Sequence, residues 1–157
     1  MNEDSNKSVK HGSASFIMDA SLIYSPEAEL EVLARLATGG KQVDWKPAIV
    51  LAAAYLERYG AERLKRFFAE REIPLKNMFD RASLPEISAV LYGLGLIKPK
   101  VWTLLDRIWH ERLDIVHPES VPYRGDYLGN KANKKYSVMI KESIRIMIIL
   151  SGEGVEP

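Results

Sequence analysis

Apolar residues recur at three- and four-residue steps along most of this chain, and alternation of apolar and polar positions never persists beyond a few residues. That rhythm predicts amphipathic helices and no sheet. A first helix is expected from Pro26 to about Thr38, with Ser25 as N-cap, Pro26 at the first helical position and Gly39-Gly40 as its stop. Leu30, Leu33, Ala34 and Ala37 give it one apolar face, and the segment FIMDASLIY ahead of it fits a short extra turn or helix. A second, long helix is expected from about Trp45 to Arg71. Asp44 caps it, Pro47 lies in its first turn, where no amide partner is lost, and Pro74 stops it. Its buried stripe comprises Ile49, Ala52, Ala53, Leu56, Tyr59, Leu64, Phe67 and Phe68. Gly60, in the middle, costs about 1 kcal/mol against alanine, so it should serve close helix packing or a bend.

A capping box, Ser83-Leu84-Pro85-Glu86, opens the third helix, which carries Ile87, Val90, Leu91 and Leu94 and ends between Gly93 and Gly95. Pro99 opens a fourth helix running to Val116, with Val101, Leu104, Leu105, Ile108, Trp109, Leu113 and Val116 on its apolar side. A polar loop with Pro122, Gly125 and Gly129 is expected from Pro118 to about Lys131. The last helix then spans about Asn133 to Leu150, with Tyr136, Met139, Ile140, Ile144, Met147 and Ile148 as its stripe. Its IRIMIIL stretch is apolar on more than one side, which predicts either a central place in the core or a subunit interface. The fold class is therefore all-α: an antiparallel bundle of four to five helices in one domain, residues 16–152, between a polar leader (1–15) and a short tail (153–157).

Composition narrows the function classes. The 157 residues are 46% hydrophobic and 27% charged, an ordinary globular balance, and the net charge of +1 exerts no global pull on nucleic acid, so such a role needs a local patch. The absence of cysteine excludes disulfides, thiolate metal sites and cysteine nucleophiles. The opening residues lack the apolar stretch of a signal peptide, and no apolar run nears the roughly 20 residues that span a bilayer. A cytoplasmic protein without membrane contact is expected.

Chemistry concentrates in WHERLDIVHPES, Trp109 to Ser120. Arg112 offers a planar fork for a phosphate. Imidazole, supplied here by His117, is the side chain that ordinarily titrates near pH 6.5 and so both accepts and donates protons near neutrality. On an ideal helix a five-residue step turns the direction by roughly 140°, which would point the two apart. Pro118 disfavours the α conformation at His117, so His117 is expected to leave the helix axis and turn toward Arg112.

An arginine and a histidine separated by four residues, near the end of a late helix in an all-α domain, resemble the HEPN superfamily. The likeness extends over about residues 45–150: a long helix with an internal acidic residue, Glu57 in AIVLAAAYLERYG; a helix ending in the LGLI step, Leu94 to Ile97; then the motif helix ending in His-Pro. The resemblance implies a homodimer that sets two motif helices around one cleft and cuts RNA without metal or cofactor, leaving a 2′,3′-cyclic phosphate. Arg112 and His117 are then the catalytic pair, with Glu57, Asp114 and His110 in support, in a stress-response or defence setting. Two positions depart from the family pattern. Leu113 follows the arginine where Asn, His or Asp is common. Glu119 stands two residues after the histidine, where a toxin branch paired with a nucleotidyltransferase antitoxin has Tyr.

Plainer readings stand beside these. Arg112 can pair on the surface with Asp106, Glu111 or Asp114, and His117 can be a terminal residue favoured by the helix dipole. His110 and His117, seven apart with Asp114 between, have half of a metal site, but no second ligand cluster exists, so no metal is expected and His110 is read as a partly buried neighbour of the site. Glu57 either orients Arg112 or is a solvated charge beside Arg58. Trp102 and Trp109, seven apart, suit core or interface packing better than base stacking. The stretch RYGAERLKR is locally basic, with Arg58, Arg63, Lys65 and Arg66 against Glu62. From Glu119 to Tyr136, four cations (Arg124, Lys131, Lys134, Lys135) face two carboxylates, a net of +2, with Tyr123, Tyr127 and Tyr136 interleaved; this segment is either a solvated loop or an RNA guide. The alternatives to a ribonuclease are a non-catalytic HEPN-like dimer binding RNA, nucleotide or a protein partner such as a nucleotidyltransferase, and a plain helical interaction protein.

Overall fold

The computed structural model describes residues 26–38, 45–75, 77–117, 127 and 129–152. The expected leader, the FIMDASLIY segment, the Asp44 cap, most of the polar loop and the tail lie outside them. Among the described residues there are five helices and no strand: α1 (Pro26–Thr38), α2 (Trp45–Ala69), α3 (Leu84–Gly93), α4 (Pro99–Val116) and α5 (Gly129–Ser151). The bundle of four to five helices read from the sequence is thus present.

Helix α2 is the hub and packs against each of the other four, while α5 packs on α1, α2 and α4. The reason is written in its side chains. Ala48, Ala52, Ala53 and Ala61 are buried between the larger Trp45, Ile49, Leu56 and Leu64, and small residues let neighbouring backbones approach from several directions. The same demand explains α5, where Ile146, Met147 and Leu150 are buried around the helix, so its many-sided apolar end belongs largely to the core. In α1 the inward side runs through Leu30, Leu33 and Leu36, and Ala34, expected on it, is exposed. Helix α5 also begins earlier than the polar composition suggested. Gly129 takes the turn at φ 85°, and nothing after it breaks a helix, so Asn130 and Lys131 join the first turn.

Gly60 sits where α2 meets α3. A β-carbon there would come within 2.5 Å of Ile87 Cγ2 and 3.4 Å of Leu91 Cδ1. Close packing, not a bend, is its role. Gly60→Ala gains about 1 kcal/mol of helix propensity but overpacks a buried, β-branched neighbour at a cost of about 1–3 kcal/mol. We expect a net loss of about 1 kcal/mol in urea denaturation. In the Ile87→Ala background, where the offending methyl is gone, the same substitution should be neutral or stabilising.

Both ends of α3 follow their local chemistry. The Ser83 amide and hydroxyl each donate to the Glu86 carboxylate at 2.7 Å, which holds that carboxyl below the usual glutamate range. At the other end Gly95 adopts φ 68°, its amide donates to the Tyr92 carbonyl and the Leu96 amide to the Leu91 carbonyl, both at 2.9 Å. This double closure is the reason the helix stops where glycine stands. Leu94, read as apolar face, is exposed because it falls at this turn.

Candidate functional site

Helix α4 carries the motif. Pro99 starts it, Leu105 and Ile108 anchor it in the core, and it ends at Val116. His117 leaves the helix at φ −122°, ψ 61°, as the following proline demands, with its amide still donating to the Leu113 carbonyl at 2.8 Å. Its side chain is exposed and makes no hydrogen bond or ion pair with another described residue.

Arg112 is held more firmly. Its guanidinium lies over the Trp109 ring at 4.8 Å, and Nη1 stands 3.8 Å from Glu57 Oε1 on α2. Both side chains are about three-quarters buried, 29% and 24% exposed, so the charges interact through a partly desolvated medium. Nε is shielded from water with no hydrogen-bond partner among the described residues. The same Glu57 oxygen accepts a hydrogen bond from the Leu84 amide at 3.1 Å, the first residue of α3. One carboxylate therefore joins α2, the start of α3 and the motif arginine. Glu57 also lines a groove of about 360 Å³ whose other charged residues, Arg58, Glu62, Lys65 and Asp80, give it no dominant sign.

The structure thus brings Arg112 and Glu57 together. It shows no contact between Arg112 and His117. His110 is a correction: instead of being partly buried beside the site it is exposed, its Nδ1 2.8 Å from the Asp106 carbonyl oxygen and 3.5 Å from the Asp106 carboxylate. A position four residues after an exposed aspartate on the outer face of α4 offers it nothing to pack on. Asp114 is half-buried and close enough to two tyrosines to affect their ionisation.

Those tyrosines form a cluster that sequence reasoning did not assemble. Glu111, whose side chain is only 12% exposed, accepts hydrogen bonds from Tyr136 Oη at 2.9 Å and Tyr127 Oη at 3.4 Å, and pairs with Lys135. The two rings stack at 5.3 Å, and the Lys46 ammonium stands 5.7 Å from the Tyr127 ring centre. Burial first, and the Glu111 carboxylate beside them, push both phenols above their ordinary range. Tyr127 and Tyr136, expected to help guide RNA, are buried with their ring faces against each other, so the structure gives them a packing role instead. Lys135 is engaged with Glu111, while Lys131 and Lys134 remain on the exposed side of α5. Tyr123 and Arg124 lie outside the described residues. A signal for Glu111 did exist: it follows Leu104 by seven residues and Ile108 by three, which puts a carboxylate on the apolar stripe of α4.

Trp109 supports Arg112 from a half-buried position, whereas Trp102 is exposed and stacks on Tyr92 at 4.9 Å. Among the described residues no group of three or more His, Asp or Glu side chains is placed to hold a metal ion. None of their helices is long and apolar enough to cross a membrane. No protein-family model matches the chain, and neither the curated proteins nor the solved structures include a match to it.

Proposed function

We propose that this protein is a HEPN-like homodimer that cleaves RNA without a metal, through Arg112 and His117 at a composite site between two copies. The observation that carries this reading is the contrast along one helix. Arg112 is oriented by Glu57 and Trp109, while His117, released from the helix one turn further on, has its ring exposed and bonded to no other described residue. Neutral imidazole takes the proton from a ribose 2′-hydroxyl, and the 2′-oxygen attacks the adjacent phosphorus. The bond from phosphorus to the 5′-oxygen breaks and the imidazolium so formed gives its proton to that oxygen, leaving a 2′,3′-cyclic phosphate, a 5′-hydroxyl end and neutral imidazole. Arg112 stabilises the charge that grows on the phosphate oxygens. Because the two groups do not meet within one copy, a two-fold axis along α4 supplies the arrangement: His117 of one chain opposite Arg112 of the other. The outward side of α4, with Thr103, Asp106, Arg107 and His110 exposed among the described residues, is available for such a contact.

A second reading, a non-catalytic dimeric module that binds RNA, nucleotide or a partner protein such as a nucleotidyltransferase, is favoured by one observation. Leu113 follows the arginine and adds no polar group to the site. Incubation of the purified protein with single-stranded RNA in EDTA distinguishes the two. Cleavage with cyclic-phosphate ends is expected, and intact RNA at micromolar protein favours the binding module. Light scattering should give a dimer at the same concentration; a monomer rules out the composite site.

A further inference from the structure

Helix α5 turns a row of cations to solvent. Lys131, Lys134, Val138, Lys141 and Arg145 follow one another at steps of three and four, which on an ideal helix keeps them within an arc of roughly 80° and strings them over about 21 Å. All five are exposed, and Val138, at 58%, shows that no described element covers this side. Lys131, Lys134 and Lys141 make no ion pair, hydrogen bond or ring contact with another described residue. Arg145 is partnered at 2.9 Å by Glu142, the one carboxylate of the helix. Four cations against that carboxylate leave the row at +3 in a chain of net charge +1, so the rest of the chain sums to −2. A role on nucleic acid needs a local patch of this kind, because the overall balance supplies none. Lys135, beside the row, is held by Glu111, the residue before Arg112, which sets the first turns of α5 against the motif helix.

We propose, on the RNA reading above, that this row is a track for the phosphate backbone of single-stranded RNA, running from the motif along α5. Its chemistry selects a polyanion. Lysine meets a phosphate as a compact point charge on a flexible stem, and the row holds no aromatic or amide side chain that would read a base. Binding is therefore electrostatic and indifferent to sequence. An anionic membrane surface is a poorer match. A helix lying in a bilayer interface inserts its apolar side, and in α5 that side (Met139, Ile140, Met147) is buried in the core. A protein partner is poorer too, since the centre of such an interface is depleted of lysine and built on aromatic anchors.

The test is fluorescence anisotropy of the full chain with a labelled 2′-O-methyl RNA of about 16 nucleotides, titrated at several salt concentrations in EDTA. Such RNA lacks the attacking hydroxyl, so binding is read whether or not the chain cleaves, and failure of cleavage and failure of binding are separate results. Saturable binding is expected, with log affinity falling against log salt at a slope of at least about 2. Lys131→Gln with Lys134→Gln and Lys141→Gln should flatten that slope by about 2 and weaken binding at least about tenfold at roughly 0.1 M salt. All three lysines are exposed and have no described partner to lose, so this variant keeps its fold. Removing three exposed cations elsewhere, Arg71→Gln with Arg81→Gln and Lys100→Gln, should weaken binding less than about threefold. Four results overturn the proposal: no saturable binding, an unchanged salt slope in the lysine variant, equal weakening by the matched variant, or binding to anionic phospholipid vesicles without binding to RNA.

Discussion

His117→Ala should lower cleavage of single-stranded RNA by about 10²- to 10⁴-fold while leaving the melting temperature within a degree or so. The two halves of that expectation have separate physical grounds. The His117 ring is exposed and bonded to no other described residue, and the contact that fixes its backbone, amide to Leu113 carbonyl, survives in alanine. Folding therefore loses almost nothing. The reaction loses its proton acceptor at a step where water is a poor substitute. Arg112→Lys provides the contrast. It keeps the charge but not the planar fork, so activity should fall, and it also gives up the stacking on Trp109, so stability should fall with it. Initial rates in EDTA beside thermal melts read both. Equal cleavage by wild type and His117→Ala would remove the histidine from the mechanism.

Glu111→Ala should cost about 2–4 kcal/mol, the range for stripping the acceptor from a buried, charge-assisted network. Two phenol hydroxyls and the Lys135 ammonium share that carboxylate, and neither tyrosine can swing to water without abandoning its stacked partner. In a chain of this length the melting temperature should drop by roughly 5–15 °C. Glu111→Gln retains an acceptor oxygen and should cost about half as much. The pH dependence has a definite sign. Both phenols are raised in the folded protein, so their contribution is complete below the ordinary phenol value of about 10 and is lost as pH climbs past it. Urea melts at pH 7 and pH 11 should show a steeper alkaline loss for wild type than for Glu111→Ala. A change at pH 7 below about 0.5 kcal/mol would mean that the network is ornamental to stability.

Much of this architecture was legible because helix signals are local. Pro26, the Ser83–Glu86 box and Pro99 each act within one turn, and α1, α3 and α4 begin where those residues put them. The pairing of Arg112 with Glu57 was an even choice on sequence alone. They lie on different helices, and only the packing of α4 on α2 closes the distance. Glu111 was misplaced for the same reason. Its partners are 16 and 25 residues away in sequence, and a charged residue in a helix reads as solvated until something polar is known to cover it. Tyr127 failed in the opposite sense. An aromatic in a basic loop looks like a stacking platform, but a ring next to a second ring and a carboxylate packs inward.

The shared oxygen of Glu57 has a consequence for signalling within the bundle. It faces a cation on one side and a peptide amide on the other, and the two compete for the same electron density. An anion that draws the guanidinium away leaves that density to the amide. Occupancy near the motif would then be felt as a firmer first turn of α3, transmitted by charge alone and with no backbone displaced.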